Sequence, residues 1–198
     1  MKKEDQYPLF CLFIYILAFI IGAINPLYPQ DWFLESILAL IIIPILIFTY
    51  SKFRFSNTSY TLILIFSILQ VTGSHYTYAE TPIGFWLKDL FDFSRNHYDR
   101  IVHFAWGLLL YLPTLELYQK LSNNKMKTLF NYSMPLFILV ALGGIFEAIE
   151  SLVALVVAPN LGNAYLGAQG DIWDAQKDIT LKIVGSLLAM LYLYKTRK

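Results

Sequence analysis

Three carboxylates follow one another at spacings of three and four residues in the last quarter of the chain. Asp171, Asp174 and Asp178 lie at the start of an apolar segment. On a helix, this spacing places all three along one face, where like charges repel unless a cation, a proton or a basic side chain neutralises them. Carboxylate oxygens bind divalent metals, although this spacing matches no specific metal motif. The sequence therefore predicts a candidate site for a divalent metal and does not specify which metal.

A carboxylate and an imidazole lie four residues apart at the start of another apolar segment, at Asp99 and His103. On one helix face, Asp99 can orient the ring of His103 as a general acid or base, or the two can share a metal. Alternatively, Asp99 favours the positive helix N-terminus and His103 hydrogen-bonds a neighbour. We predict that Arg100 binds an anionic headgroup and that His75, which ends an earlier apolar segment, joins the substrate site.

Two further carboxylates, Glu147 and Glu150, lie inside a long apolar segment. Glu147 lies about 21 Å from the segment's start near Ser133, at about 1.5 Å per residue. Carboxylates within a membrane cost at least a few kcal/mol unless paired, and they indicate a functional site by default. We assign both to metal binding, together with the three aspartates. The alternative is ion pairing with Arg100 and Lys182.

Acidic side chains outnumber basic ones in this part of the chain. The acids are Asp99, Glu147, Glu150, Asp171, Asp174 and Asp178, and the nearby bases are Arg100, Lys177 and Lys182. If all were ionised and converged, three negative charges would lack a partner. Burial would then raise some carboxylate pKa values or recruit a cation.

Composition places these residues in a membrane protein. The chain is 57% hydrophobic and 15% charged, with a mean hydropathy of +0.54, whereas soluble domains are about 45–50% apolar and about 25% charged. The net charge of +1 gives no sign of a nucleic-acid partner, so membrane lipids are the expected partners. Cys11 is the single cysteine, which excludes an intrachain disulfide and a zinc–cysteine cluster.

The apolar pattern predicts an all-α fold, a single domain over residues 1–198 built as a bundle of six transmembrane helices. Their approximate ranges are 8–24, 33–50, 58–73, 99–118, 133–157 and 173–194. We interpret the first as a retained helix, because no small-residue cleavage pattern follows it. Residues 74–100 form the longest predicted loop, with an interfacial helix over residues 88–93.

Positive charge fixes the predicted orientation. Ten basic residues fall on one side of the predicted bundle: Lys2, Lys3, Lys52, Arg54, Lys120, Lys125, Lys127, Lys195, Arg197 and Lys198. The other side has five: Lys88, Arg95, Arg100, Lys177 and Lys182. Because positive loops stay inside, both termini are predicted to be cytoplasmic. The acidic segments then face the periplasm or cell exterior.

Several motifs together resemble one family. They are His75-Tyr76-Thr77-Tyr78, Arg95-Asn96-His97-Tyr98-Asp99-Arg100 with His103-Phe104, Glu147-Ala148-Ile149-Glu150, and Leu166-Gly167 followed by Gln169-Gly170-Asp171-Ile172-Trp173-Asp174. Over about residues 70 to 190 the chain resembles the YjdF-like bacterial inner-membrane family, known as a domain of unknown function. Ala168 departs from the threonine usual in that last motif. The resemblance implies a multi-pass protein of the bacterial plasma membrane. A looser likeness to VanZ-like membrane proteins implies a link to the cell envelope.

Three classes of function stay open. The first is a membrane-embedded, metal-dependent enzyme acting on lipid-linked or envelope substrates, with His103 and Asp99 as catalytic groups. The second is a small ion- or proton-coupled transporter, for which a homo-oligomer would be needed because the chain is short and shows no inverted repeat. The third is a structural envelope protein with ion-paired acids. Glu116, about 20 Å along the helix from His103, would matter to a transporter and not to a one-sided enzyme.

Overall fold

The computed structural model describes residues 3–123, 128–157, 162, 166 and 168–196, and within them it is helical without a strand. A short 3-10 turn, Lys3–Asp5, precedes the first α-helix. The α-helices are α1 (Gln6–Gly22), α2 (Pro29–Thr49), α3 (Asn57–Tyr76), α4 (Pro82–Phe91), α5 (Tyr98–Ser122), α6 (Leu129–Val156) and α7 (Asp174–Thr196). The predicted all-α class is confirmed.

Helix boundaries follow local capping chemistry. Ser56 begins α3 by accepting a hydrogen bond from the Ser59 amide at 3.1 Å, and such a cap satisfies an amide that the helix itself leaves free. Pro29 opens α2 at a position where its missing N–H costs nothing. Left-handed residues end α3 and α4, namely Thr77 with φ 56° and Asp92 with φ 53°.

The predicted loop between α3 and α5 is largely helical. Tyr76 ends α3, and α4 begins at Pro82, so the predicted interfacial helix at residues 88–93 starts earlier than expected and ends at Phe91. Trp86 and Phe91 are exposed on this helix. Aromatic side chains of this kind favour the membrane–water interface, which suits a short amphipathic helix joining two longer ones.

Within the described residues, four helices are long and apolar enough to cross a membrane: α2, α5, α6 and α7. α1 is a shorter apolar helix of 17 residues. Large apolar side chains such as Phe48 and Leu155 are 81% exposed, as expected for surfaces that face lipid rather than water. The predicted membrane class is therefore confirmed.

Glycines bring α5 and α7 into close contact. A Cβ at Gly107 would collide with the backbone of Lys182 and Ser186, and one at Gly185 would collide with the Phe104 carbonyl. Small residues at such crossings let helix backbones approach closely in membranes. The contact aligns the start of α5 with the start of α7, where the charged side chains lie. Below it, α5, α6 and α7 share an apolar core around Tyr111, Leu115, Leu136, Leu139 and Met190.

Candidate functional site

The starts of α5 and α7 are joined by arginines. Arg100 Nη2 lies 2.5 Å from Asp174 Oδ1 and 3.2 Å from Asp171 Oδ2, and its Nη1 donates to Asp178. Arg95 Nη1 lies 2.9 Å from Asp174 Oδ1 and 3.7 Å from Asp171 Oδ2. We call these five residues the arginine–aspartate layer. Their ion pairs give the three aspartates basic partners, and Arg95 is the partner that the sequence analysis missed.

Backbone contacts hold the two segments of this layer together. Arg95 also donates to the Ala168 carbonyl at 2.9 Å. The Asn96 amide donates to Gln169 Oε1 at 3.1 Å, and Gln169 Nε2 returns a bond to the Asn96 carbonyl at 2.9 Å. Asn96 itself is buried and donates from Nδ2 to the Thr81 carbonyl at 3.0 Å. The segment before α5 is thus pinned both to α4 and to the segment before α7.

Asp171 has a third basic neighbour at the edge of the layer. Lys177 Nζ donates to Asp171 Oδ2 at 2.5 Å, and the Trp173 amide donates to its other oxygen at 3.1 Å. The Lys177 hydrogen bond, followed by that amide, lowers the pKa of the Asp171 carboxyl below its ordinary value. Asp171 therefore stays ionised at any physiological pH.

Beneath this layer, the ring of His103 faces three carboxylates. His103 Nε2 lies 2.9 Å from Asp99 Oδ1, 3.7 Å from Asp178 Oδ1 and 3.9 Å from Glu147 Oε1. Lys182 donates to Glu147 from within α7. We call Asp99, His103, Glu147, Asp178 and Lys182 the histidine cluster. It combines residues of α5, α6 and α7.

Three residues of this cluster have donor atoms close enough together to bind one metal ion. The ligand atoms of Asp99, His103 and Asp178 lie within 4.8 Å of one another. Bonds of about 2.0–2.2 Å to one zinc-like ion put its ligand atoms roughly 3–4 Å apart, which matches the separations around His103 Nε2. Asp99 Oδ2 is buried, and the described residues give it no hydrogen-bond partner. The cluster therefore retains a free carboxylate oxygen that a cation could use.

Two buried acids on α2 were not predicted. Asp31 is 0% exposed and Glu35 is 8% exposed, four residues apart on the same helix. Neither oxygen of Asp31 has a hydrogen-bond partner in the described part of the chain. The charges of Asp31, Asp99 and Glu147 all act on Glu35. The four-residue spacing of Asp31 and Glu35 could have indicated that they share a helix face. The predicted helix begins at residue 33, so Asp31 falls outside it.

Glu150 extends the same acidic group from α6. It is 9% exposed, and the charges of Glu35, Glu147 and Asp99 act on it. Residue spacing alone does not decide whether Lys182 or Arg100 pairs with Glu147 or with Glu150. The structure pairs Lys182 with Glu147 and directs Arg100 to the aspartates instead. Acids consequently still exceed bases around Glu150.

His75 and Glu116 lie in other contacts. His75 Nδ1 hydrogen-bonds the Gly22 carbonyl at 2.9 Å, so its ring ties α3 to α1. Glu116 Oε2 accepts the Ser56 amide at 2.9 Å and thereby helps to fix the start of α3. Both side chains are thus engaged in holding helices together, and the substrate-binding role of His75 stays a prediction.

Comparison with known proteins places the chain in a family. A family model described as "Predicted membrane protein (DUF2238)" matches residues 7–198. The chain belongs to this family. It is also 29% identical over 162 residues, covering 82% of this chain and 77% of the relative, to the protein named "Inner membrane protein YjdF" of Escherichia coli (strain K12). No solved structure gives a significant match.

This family membership confirms the predicted YjdF-like resemblance, and with it the predicted class and place. The protein is a multi-pass protein of the bacterial inner membrane. The likeness to VanZ-like proteins stays a prediction. The motifs that carried the resemblance lie at the ends of α3, α5, α6 and α7, and most of their charged residues belong to the arginine–aspartate layer or the histidine cluster.

Proposed function

We propose that all six long helices, α1, α2, α3, α5, α6 and α7, cross the membrane, with both termini in the cytoplasm. The excess of basic residues on the side of the termini supports this orientation. α4 then lies at the outer interface, and so do the arginine–aspartate layer and the outer end of the histidine cluster.

Within that frame, we propose that the histidine cluster is the centre of a metal-dependent enzyme acting on lipid-borne envelope substrates at the outer leaflet. The observation that carries the proposal is the position of His103 Nε2 between three carboxylate oxygens, at 2.9, 3.7 and 3.9 Å. Donor atoms of Asp99, His103 and Asp178 lie within 4.8 Å of one another, and Glu147 Oε1 of a third helix lies 3.9 Å from His103 Nε2. Lys182 and Arg100 donate to Glu147 Oε1 and Asp178 Oδ1, whereas Asp99 Oδ2 has no hydrogen-bond partner among the described residues.

The proposed ligands are His103, Asp99, Glu147 and Asp178. A divalent ion there would lower the pKa of a bound water and so supply the nucleophile that the sequence lacks. Lys182 beside Glu147 and Arg100 beside Asp178 would hold the two carboxylates in place, as supporting partners of metal ligands usually do. Asp171 and Asp174, predicted as ligands from sequence, would instead serve the ion pairs of the layer above.

Metal content is the direct test. We expect purified protein to hold about one divalent ion per chain by elemental analysis, and His103→Ala and Asp99→Asn to lose it. Glu116→Gln is the matched control, since it alters a carboxylate of the same bundle that caps α3. Metal content that is the same in all four proteins, or absent throughout, would contradict the proposal.

An ion- or proton-coupled transporter is the second candidate, favoured by buried carboxylate oxygens without a hydrogen-bond partner among the described residues, namely both oxygens of Asp31 and Oδ2 of Asp99. A transporter also needs groups that continue the path toward the other side of the membrane. Glu116 was the residue suited to that role, and its carboxylate is engaged by the Ser56 amide. The one-sided distribution of the cluster therefore favours the enzyme.

A further inference from the structure

A cavity of about 240 Å³ lies between α2, α3, α5 and α6. It is far larger than a water site, which needs only about 10–15 Å³. Its walls include Leu110 on α5 and Leu139 and Leu142 on α6, while Glu35 and Ser36 on α2 provide polar groups. The cavity thus joins an apolar interior to one of the buried acids beside the histidine cluster.

Polarity changes in the same direction along each wall. On α2 the face runs from Asp31 and Glu35 to Ala39, Ile42 and Leu46, all spaced by three or four residues. Acids therefore occupy the end nearest the cluster, and apolar side chains occupy the rest of the helix face.

The helices opposite show the same gradient. On α5, His103 precedes the cavity-lining Trp106 and Leu110, and on α6, Glu147 follows the cavity-lining Leu142 by about one turn. Polar groups on three helices, α2, α5 and α6, thus lie at the same end of the cavity.

The hydroxyls deeper in the cavity are already used. Ser67 Oγ donates to the Ile63 carbonyl at 2.8 Å, and Thr114 Oγ1 donates to the Leu110 carbonyl at 2.8 Å. Bonds of this kind within a helix hide the hydroxyl from a ligand. The deep part of the cavity therefore offers apolar surface, which suits a hydrocarbon chain.

The length of the cavity matches one leaflet. Glu35 and Leu46 both line it and are 11 residues apart, which is roughly 16 Å of helix, about half of the ~30 Å hydrocarbon core. Ile42 and Leu142 line the cavity and are also 39% and 49% exposed. The cavity thus has a wall that reaches the lipid-facing surface, so a lipid chain has a route into it.

Negatively charged side chains at the polar end of the cavity favour a lipid with a cationic group in its headgroup. Asp31, Glu35 and Glu150 remain after Lys182 pairs with Glu147 and Arg100 pairs with the aspartates. Both Asp31 oxygens are buried without a partner among the described residues. Buried carboxylates of this kind call for a cationic donor.

We propose that this cavity binds one hydrocarbon chain of an outer-leaflet lipid whose headgroup carries a primary amine, with the amine held by Glu35, which lines the cavity, and with the buried Asp31 one turn away on α2 adding negative charge. The identity of this lipid as a substrate rests on the proposed function. Its binding rests on the cavity and the acids, and its leaflet rests on the proposed orientation. The ammonium would supply N–H donors to the carboxylates. A headgroup with a phosphate and no amine would be repelled by them, because both groups are negatively charged.

Photolabelling in nanodiscs tests the headgroup. The probes are phosphatidylethanolamine and phosphatidic acid with the same diazirine-bearing chain, in a phosphatidylcholine bilayer. We expect phosphatidylethanolamine to label peptides of α2, α5 and α6 roughly tenfold more strongly, which corresponds to about 1.4 kcal/mol, the scale of one charge-assisted hydrogen bond. Equal or stronger labelling by phosphatidic acid would overturn the amine assignment.

Two variants test the site. Ala39→Trp should fill the cavity and abolish this labelling. Leu12→Trp should preserve it, because Leu12 lines only the adjacent apolar cavity between α1, α2 and α3. Glu35→Gln should remove the preference for phosphatidylethanolamine. Labelling that ignores Ala39→Trp would refute the cavity as the binding site.

One further variant separates this inference from the proposed function. His103→Ala should lose the metal and retain the labelling, because His103 does not line the cavity, whereas Ala39 and Leu46 do. Wild-type protein that holds no metal and still prefers phosphatidylethanolamine would support the lipid site and contradict the enzyme proposal. Labelling lost in His103→Ala would contradict a lipid site that is independent of the metal.

Discussion

Lys182 of α7 donates a hydrogen bond to Glu147 of α6, and both side chains are buried. The stem of Lys182 packs against Gly143, where a Cβ would meet Lys182 Cδ at 2.7 Å. This glycine therefore opens the space through which the lysine reaches a carboxylate one turn along α6. The pair joins the last two helices at the depth of the proposed metal.

The first prediction concerns this pair. Lys182→Met should destabilise the protein by about 3–5 kcal/mol, because it leaves the Glu147 charge buried without a partner. Adding Glu147→Gln should recover most of the loss, as measured by thermal unfolding in detergent. Lys177→Met is the control, since Lys177 is 55% exposed and exposed ion pairs contribute about 0–1 kcal/mol. Additive losses in the double variant would show that the two residues do not act as a pair.

The second prediction concerns metal removal. If the histidine cluster holds a divalent ion, a chelator should lower the unfolding temperature of the wild-type protein, because binding to the folded state adds stability. His103→Ala should already be shifted and should no longer respond to the chelator. A wild-type protein with the same unfolding temperature with and without chelator, at a metal content near zero, would favour the ion-paired scaffold.

The sequence predicted the helices well because apolar runs of this length have few alternatives in a membrane. The start of α2 was placed at residue 33 because Asp31 and Trp32 follow two prolines and look like a loop. The structure instead uses Pro29 as the first residue of the helix. That difference hid Asp31 from the predicted site, because a residue assigned to a loop was not considered on a helix face.

Which acid meets which base could not be predicted from spacing. Periodicity gives the face of each helix but not its rotation about the bundle, and Glu147 and Glu150 are only three residues apart. Contacts between α5 and α7 at Gly107 and Gly185 fix that rotation and direct Arg100 to Asp174 and Asp178. The sequence indicates which acidic and basic side chains are candidates for the site, whereas their pairing depends on tertiary packing.

The third prediction concerns the arginine–aspartate layer. Asp174→Asn should lower the stability of the protein, because Asp174 accepts from both Arg95 at 2.9 Å and Arg100 at 2.5 Å while only 12% of its side chain is exposed. The expected loss is about 3–5 kcal/mol, as for removal of one partner from a buried ion pair. Asp92→Asn, in an exposed position after α4, is the matched control and should leave thermal unfolding unchanged. If Asp174→Asn is as stable as the wild type, the ion pairs of Asp174 with Arg95 and Arg100 do not stabilise the fold.

The fourth prediction concerns pH. The pKa of Asp171 is lowered by Lys177 from its usual 3.8, so its contribution to stability is present above the ordinary value and is lost as pH falls through the lower folded value. We therefore expect the segment before α7 to loosen below about pH 4, seen as faster amide exchange at residues 168–173. Asp171→Asn should exchange fast at every pH. Acid-insensitive exchange that is slow in both proteins would exclude this role.

The last prediction concerns orientation. Reporter fusions truncated after Asn123 and after Thr196 should read cytoplasmic, and fusions after Asp92 and after Gly170 should read periplasmic, because positive residues concentrate on the side of the termini. The Gly170 fusion decides most, since it places the arginine–aspartate layer and with it the polar end of the lipid cavity. A periplasmic signal there agrees with a headgroup site open to the outer leaflet. A cytoplasmic signal at Gly170 would move every charged residue of the site to the inner face, and the substrate would then have to come from the inner leaflet.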